Sequence, residues 1–139
     1  MGFVKGVLPV GQYCFYFTYC DADNNESDYI AESGLIPVFI GDDKNPKSMD
    51  GGIKNQITNK GIQLRLDNID KSYNYLKVYY VRYFADYQQN RVCECKKLYK
   101  KFSINSGSIY IQITGSENME DLDPNILNLS RFNPKTVLT

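Results

Sequence analysis

The chain has 139 residues, enough for one domain whose hydrophobic core needs neither disulfides nor a metal to hold it. Its 16 basic and 16 acidic residues cancel, and this balance argues against nucleic acid or an anionic membrane as a partner. Histidine is absent, so the commonest side chain of acid–base catalysis and metal binding is missing, and we expect no enzyme and no cofactor.

The first predicted elements form an aromatic β-hairpin. In residues 12–20, aromatic side chains recur at every second position, which predicts a strand with one aromatic face. Residues 21–26 are rich in Asp and Asn, so we expect them to turn the chain. A return strand is predicted over residues 27–32, and a separate strand over residues 35–40 after a glycine. Because Pro37 has no amide hydrogen to donate, it predicts either that this last strand lies at a sheet edge or that the strand starts there.

The following stretch suggests how the chain is divided. Residues 41–60 are polar and without periodicity, and we interpret them as an exposed loop or a linker between modules. The predicted regions are the hairpin with its following strand (1–40), this loop (41–60), the main sandwich strands (61–116) and a C-terminal extension (117–139). In the extension, residues 124–129 are predicted to form a short helical turn.

Alternating patterns predict the main strands. Residues 62–66 alternate apolar and polar side chains, whereas residues 73–84 are largely apolar on both faces and predict the centre of a sheet. Residues 108–114 alternate again, with three isoleucines facing inward. A single strand is predicted over residues 92–104, where lysines would protect a sheet edge: Lys96, Lys97, Lys100 and Lys101.

These elements define the expected fold class. Short strands separated by turns predict an all-β, antiparallel sandwich of the immunoglobulin or fibronectin-III-like kind. Two arrangements remain open at this point. The chain is either one rearranged sandwich or parts of two adjacent modules, with the hairpin in one and the strands from Ile62 in the other.

The hairpin turn contains a candidate metal site. Oxygen-bearing side chains at Asp21, Asp23, Asn25 and Asp28 have the alternate spacing of a calcium loop. However, Glu26 stands where such a loop needs glycine, and the flanking elements are strands. We therefore interpret the segment as a turn whose side chains bond to the local backbone, with a calcium site as the less favoured alternative.

A group of tyrosines on and near the central strand is a second candidate site. Tyrosine rings can pack against a sugar or another protein, which makes them candidate binding residues. The alternative is that they line the sheet and cover the core, because tyrosine fits a half-buried strand well. The candidates are Tyr73, Tyr75, Tyr79 and Tyr83, and the same group includes Tyr80 and Tyr87.

Four cysteines complete the candidate chemistry: Cys14, Cys20, Cys93 and Cys95. Within a strand, residues two or six apart share one face, so each pair would lie on one side of its strand. Their spacings differ from the usual zinc knuckle. We predict free, buried or half-buried thiols, with a disulfide or a zinc site as alternatives.

Three stretches resemble one family of phage proteins. They are residues 11–34 (GQYCFYFTYCDADNNESDYIAESG), 62–83 (IQLRLDNIDKSYNYLKVYYVRY) and 111–117 (IQITGSE). In this order they are similar to stretches of the large tail and stabilisation, or muzzle, proteins of crAss-like bacteriophages. The resemblance implies a fibronectin-type-III-like module, a structural role at the tail or neck of the virion, and no catalytic residues.

The expected function is therefore that of a non-enzymatic structural module acting through protein–protein packing. Its expected partners are other virion proteins or copies of itself, as a homo-oligomer in the particle, assembled in the host bacterial cytoplasm. We expect no contact with nucleic acid, because the charges balance. We also expect no contact with a membrane, since we see neither an apolar run of about 18 residues nor the pattern of a signal peptide. The alternative function is a receptor- or glycan-binding sandwich that uses the tyrosines.

Overall fold

The computed structural model describes residues 2–39, 57–85 and 91–123. These residues form nine strands and contain no helix, and therefore no helix long and apolar enough to cross a membrane. The strands are β1 (Gly2–Lys5), β2 (Gly11–Cys20), β3 (Glu26–Val38), β4 (Lys60–Leu66), β5 (Tyr75–Ala85), β6 (Arg91–Leu98), β7 (Phe102–Ser103), β8 (Ile109–Ile113) and β9 (Met119–Leu122).

The strands form two antiparallel sheets. The large sheet has six strands in the order β3-β2-β5-β6-β9, with β7 pairing beside β6 on β5, and the small sheet has the order β1-β4-β8. This arrangement confirms the predicted all-β, antiparallel sandwich. Because β2 pairs with β5 from Gln12 opposite Tyr83 to Cys20 opposite Tyr75, the hairpin and the central strand belong to the same sheet. The fibronectin-type detail and the four regional boundaries stay predictions.

The core lies between the two sheets. Alternate residues of β2 and β5 face inward, so that the rings of Phe15 and Tyr80 pack with centroids 5.5 Å apart. From the small sheet, the inward residues Ile62, Leu64 and Ile111 meet them in one buried cluster. Each such side chain contributes about 1.5–3 kcal/mol when it is fully buried. The period-two patterns of the sequence thus place the core correctly.

The small sheet depends on a close approach of its backbones. A Cβ atom added at Gly61 would lie 2.8 Å from the carbonyl oxygen of Ile113 and 3.2 Å from that of Lys5. One added at Gly6 would lie 2.7 Å from the carbonyl oxygen of Thr114. These positions have no room for a side chain, because the neighbouring strands pass directly against them.

Two predicted strand boundaries are wrong. The return strand and the strand after Gly34 are a single strand, β3, because Gly34 adopts a φ of 76° and carries the chain through an irregularity without ending the pairing. The single strand predicted over residues 92–104 is instead two, β6 and β7. Residues 99–101 between them belong to no strand, and the backbone amide of Tyr99 bonds to the carbonyl oxygen of Asn118, the residue before β9, 3.1 Å away. Of the two alternatives for Pro37, the edge is confirmed, since β3 is an edge strand among the described residues and Pro37 lies near its end.

The predicted edge role of the lysines on β6 is also wrong. β6 lies inside the sheet, because β9 pairs with it and covers its outer side. Lys96 instead forms an ion pair with Asp121 of β9, with 3.1 Å between Nζ and Oδ1. Lys100 and Lys101 lie between β6 and β7.

Some predictions fall on other parts of the chain. Most of the loop predicted over residues 41–60 and the helical turn at 124–129 lie outside the described residues. Strands β1 and β9 were not predicted at all.

Candidate functional site

The outer face of the large sheet, which points away from the small sheet, brings together the polar groups of four strands. Inward and outward side chains alternate, so the residues between the core positions of β2 and β5 point outward. Two features lie on this face. We call them the Glu26 cluster (Thr18, Glu26, Lys77, Tyr79 and Lys97) and the groove (Gln12, Cys14, Tyr16, Glu32, Leu35 and Tyr83).

In the Glu26 cluster, one carboxylate accepts hydrogen bonds from side chains on three other strands. Oε1 of Glu26 lies 3.1 Å from Nζ of Lys77 on β5 and 2.8 Å from Nζ of Lys97 on β6. Oε2 accepts from the hydroxyl of Thr18 on β2, 3.0 Å away, and from the hydroxyl of Tyr79 on β5. Both carboxylate oxygens are therefore occupied, and β3 is joined by side chains to β2, β5 and β6.

The protonation of Glu26 follows from these contacts. Its side chain is 24% exposed, and burial alone would raise the pKa of the carboxyl group. The hydrogen bonds from Lys97, Tyr79 and Lys77 outweigh burial and lower the pKa to about 2. A carboxylate held this far below neutrality and saturated with donors is a poor general base. The cluster is thus suited to holding strands together.

The groove lies where β2 and β3 lose their regular pairing. Cys14 is opposite Leu35 and Tyr16 is opposite Glu32, so β3 has one more residue than β2 between these two pairs. The extra residue is a β-bulge, and the backbone amide of Phe15 donates there to the hydroxyl of Ser33, 2.9 Å away. The opening is about 370 Å³ in volume.

The candidate tyrosines do not form one exposed platform. Tyr75, Tyr79 and Tyr83 share the outward side of β5, but Tyr79 is only 8% exposed. Tyr73 lies in the turn before β5 and stacks on Tyr19, with ring centroids 4.5 Å apart. Tyr80 faces the core, and Tyr87 lies outside the described residues. A binding role for the set stays a prediction, and these positions favour the sheet-lining alternative.

The residues between β2 and β3, from Asp21 to Asn25, form the predicted turn. Oδ1 of Asp21 accepts from the backbone amides of Asp23 and Asn25, each at 2.9 Å, and Oδ2 accepts from Nδ2 of Asn25 at 3.1 Å. These hydrogen bonds lower the pKa of Asp21, the contribution from Asn25 being the largest. Asn24 adopts a left-handed φ of 68°, which asparagine tolerates. The side chain of Asp28 is not described, and the turn alone explains the Asp21 carboxylate.

The four cysteines are free thiols, as predicted, but their burial differs. Cys14, Cys20 and Cys95 are buried, whereas Cys93 is exposed on β6, so the expectation of burial is wrong for Cys93. Burial raises the pKa of the Cys95 thiol to about 11. Within the described ranges, no three His, Cys, Asp or Glu side chains are grouped so that they could hold a metal ion.

Sequence reasoning missed both features of the outer face. The sequence pattern places Glu26 in the turn, and it shows Lys77 only as one polar position in an apolar strand. A lysine in such a strand needs a partner when it is buried, so Lys77 was a usable signal for an unidentified carboxylate. The partner itself is 51 residues away in sequence, and no local pattern connects the two.

The fold and the outer face define a class of protein: a β-sandwich whose large sheet presents a polar cluster and a groove on one face. A comparison with protein families matches the Crassvirus muzzle protein family over residues 1–132. The chain belongs to this family, as the resemblance indicated, and is a viral structural protein of the virion, where it contacts other virion proteins. A comparison with curated proteins finds no match.

Proposed function

We propose that this chain is a non-enzymatic packing module at the tail or neck of a phage particle. The family match over residues 1–132 is the observation that carries the proposal. The module binds other virion proteins or further copies of itself, and assembles in the cytoplasm of the host bacterium. The equal numbers of acidic and basic residues, 16 of each, support protein partners over nucleic acid or membrane.

The geometry of the large sheet supports packing as the mechanism. Among the described residues, β3 is a sheet edge of 13 residues, and a strand of this length extends at most about 43 Å at 3.3 Å per residue. An edge strand has backbone donors and acceptors on one side that no neighbour uses, and a strand from another protein can pair with them. Leu35 on this edge is 57% exposed and provides apolar surface beside the unused backbone groups.

The glycan-binding alternative has less support in the described residues. It needs several exposed rings close together, but Tyr79 and Tyr80 are buried and Tyr73 is stacked on Tyr19. We therefore propose the packing function alone.

Immunogold electron microscopy of purified virions tests the proposed location. Antibodies raised against this chain are expected to label one end of the particle, at the tail or neck. Antibody absorbed beforehand with the purified chain serves as the control and should give no label. Label spread over the capsid shell, or particles without label, would overturn the proposal.

Cross-linking of the same virions followed by mass spectrometry tests the mechanism. Cross-links are expected from lysines of the large sheet, such as Lys96 and Lys97, to other virion proteins or to a second copy of this chain. If the cross-links of these lysines were all internal to one chain, packing through this sheet would be wrong.

A further inference from the structure

The groove beside β3 is produced by the extra residue of the bulge. In a regular strand, Glu32 and Leu35 would point to opposite faces because they are an odd number of residues apart. The bulge changes the alternation, so both side chains line the same groove on the outer face. A carboxylate and an exposed aliphatic side chain are thereby placed on one edge strand, facing one opening.

The other walls of the groove are aromatic. Tyr16 of β2 and Tyr83 of β5 are half-buried and line it together with the thiol of Cys14 and the amide of Gln12. Burial raises the pKa of Cys14 and of Tyr16, and the Glu32 carboxylate raises both further, so these two groups stay neutral. Of the six residues that line the groove, Glu32 is acidic and the other five are neutral, so the lining includes no basic residue.

Glu32 forms no ion pair with the side chains that the structure describes. The five ion pairs found among them involve other carboxylates, and Glu26 alone has two lysines. A partly buried carboxylate that lies beside aromatic rings and pairs with no described cation favours a cationic ligand. The exposed aliphatic side chain of Leu35 could pack against methylene groups, which favours a cation at the end of a flexible aliphatic chain.

We propose that the groove receives an arginine side chain from a neighbouring virion protein. The guanidinium group would pair with the carboxylate of Glu32 and lie against the rings of Tyr16 and Tyr83, since a planar cation stacks on aromatic faces. Its methylene groups would pack on Leu35. A volume of about 370 Å³ holds one long side chain and is near the lower end of small-molecule sites.

The position of the groove explains why the arginine would come from a protein. The groove opens beside the edge strand β3, so a segment that pairs with β3 would bring its own side chains onto this face. The inference rests on the proposed function for the source of the arginine. The preference of the groove for arginine can be measured without any partner.

A nuclear magnetic resonance titration of the purified chain tests this preference. N-acetylarginine amide is expected to shift the amide resonances of Cys14, Glu32 and Leu35, with a dissociation constant on the order of 1 mM, as befits a single side chain. N-acetylcitrulline amide has nearly the same shape without the charge, and should bind at least about tenfold more weakly. Equal binding of the two compounds would overturn the proposal.

Matched variants identify the residues responsible. Glu32→Gln should weaken binding of the arginine derivative about tenfold, whereas Glu120→Gln, which removes an exposed carboxylate from the same sheet, should leave it unchanged. Leu35→Ser should weaken binding by a smaller factor. Because Leu35 is 57% exposed, Leu35→Ser should fold normally. Unchanged affinity in Glu32→Gln would also overturn the proposal.

The two proposals fail in different experiments. If arginine binds but the virions carry no tail or neck label, the proposed function is wrong and the arginine preference of the groove stands. If the label is present but the arginine and citrulline derivatives bind alike, the packing function stands and the groove proposal is wrong.

Discussion

At the scale of single residues, the carboxylate of Glu26 accepts four side-chain hydrogen bonds on the outer face. It accepts from Lys77, Lys97, Tyr79 and Thr18, which come from three different strands. Hydrogen bonds to a charged group contribute about 1.5–3 kcal/mol each when one partner is removed, although neighbouring contacts do not add independently. Removing the charge would leave two lysines facing a neutral group.

We therefore predict that Glu26→Gln lowers the free energy of unfolding at pH 7 by about 2 kcal/mol. The amide keeps the shape of the side chain but loses the negative charge that both lysines face. Urea unfolding followed by circular dichroism measures the change. Glu120→Gln is the matched control, and a surface substitution of this kind should change stability by less than about 0.5 kcal/mol.

The pH dependence gives the same prediction a second readout. The pKa of Glu26 in the folded chain, about 2, lies below its ordinary value of 4.5. The stabilisation that such a carboxylate gives to the folded chain is fully present above pH 4.5 and is lost as the pH falls toward 2. The stability difference between the natural chain and Glu26→Gln should therefore shrink over this interval. If the difference in free energy of unfolding stayed constant between pH 4.5 and 2, the effect of the substitution would come from packing and not from charge.

At the scale of elements, strands with a clear apolar pattern were predicted from the sequence, and short strands without one were not. β2, β4 and β8 have regular inward positions such as Phe15, Leu64 and Ile111, β5 is largely apolar on both faces, and these patterns predicted all four strands. β1 and β9 have four residues each and bury little, so their existence depends on the partner strand that pairs with them. The bulge at Gly34 could not be predicted either, because local residues do not reveal pairing register.

The close approach of the small-sheet backbones leads to a prediction about Gly61. Gly61→Ala should lower the stability by about 1–3 kcal/mol, because the new Cβ would meet backbone atoms of two neighbouring strands that cannot move apart independently. The nearest is the carbonyl oxygen of Ile113, 2.8 Å from the Cβ position. Thermal unfolding followed by circular dichroism measures the effect.

Gly107→Ala is the control for this substitution. A Cβ at Gly107 would have no atom within 4 Å, so the melting temperature should change little. If Gly61→Ala melted at the same temperature as the natural chain, the strands of the small sheet would be farther apart than described.

At the scale of the whole molecule, one buried cluster joins the two sheets. Ile62 and Ile113 of the small sheet belong to the same cluster as Tyr13 and Tyr80 of the large sheet. A shared core makes the unfolding of one sheet expose the inner face of the other. The sequence alone is compatible with either one sandwich or parts of two, because strand order cannot be read from local patterns.

We predict that Ile111→Ala destabilises both sheets together, by about 2–5 kcal/mol. Ile111 is 0% exposed and lies on the small sheet, whereas tyrosine fluorescence reports mainly on the large sheet. Urea unfolding curves from fluorescence and from circular dichroism should shift by the same amount and stay superimposed. Gln112→Ala, on the exposed side of the same strand, should shift neither curve appreciably. Separate transitions would show that the sheets unfold as independent units.

The contacts of Glu26 also have a mechanical consequence. In a particle, a pulling force from a neighbouring subunit would enter this module through its edge, and β3 is such an edge. Backbone hydrogen bonds alone would pass that load only to β2. The Glu26 side chain bonds directly to Lys77 and Lys97, so part of the load would reach β5 and β6 without passing through β2. Detaching β3 would then require the ionic contacts with β5 and β6 and the Thr18 hydrogen bond on β2 to break together with its backbone ladder, which raises the force the edge can bear.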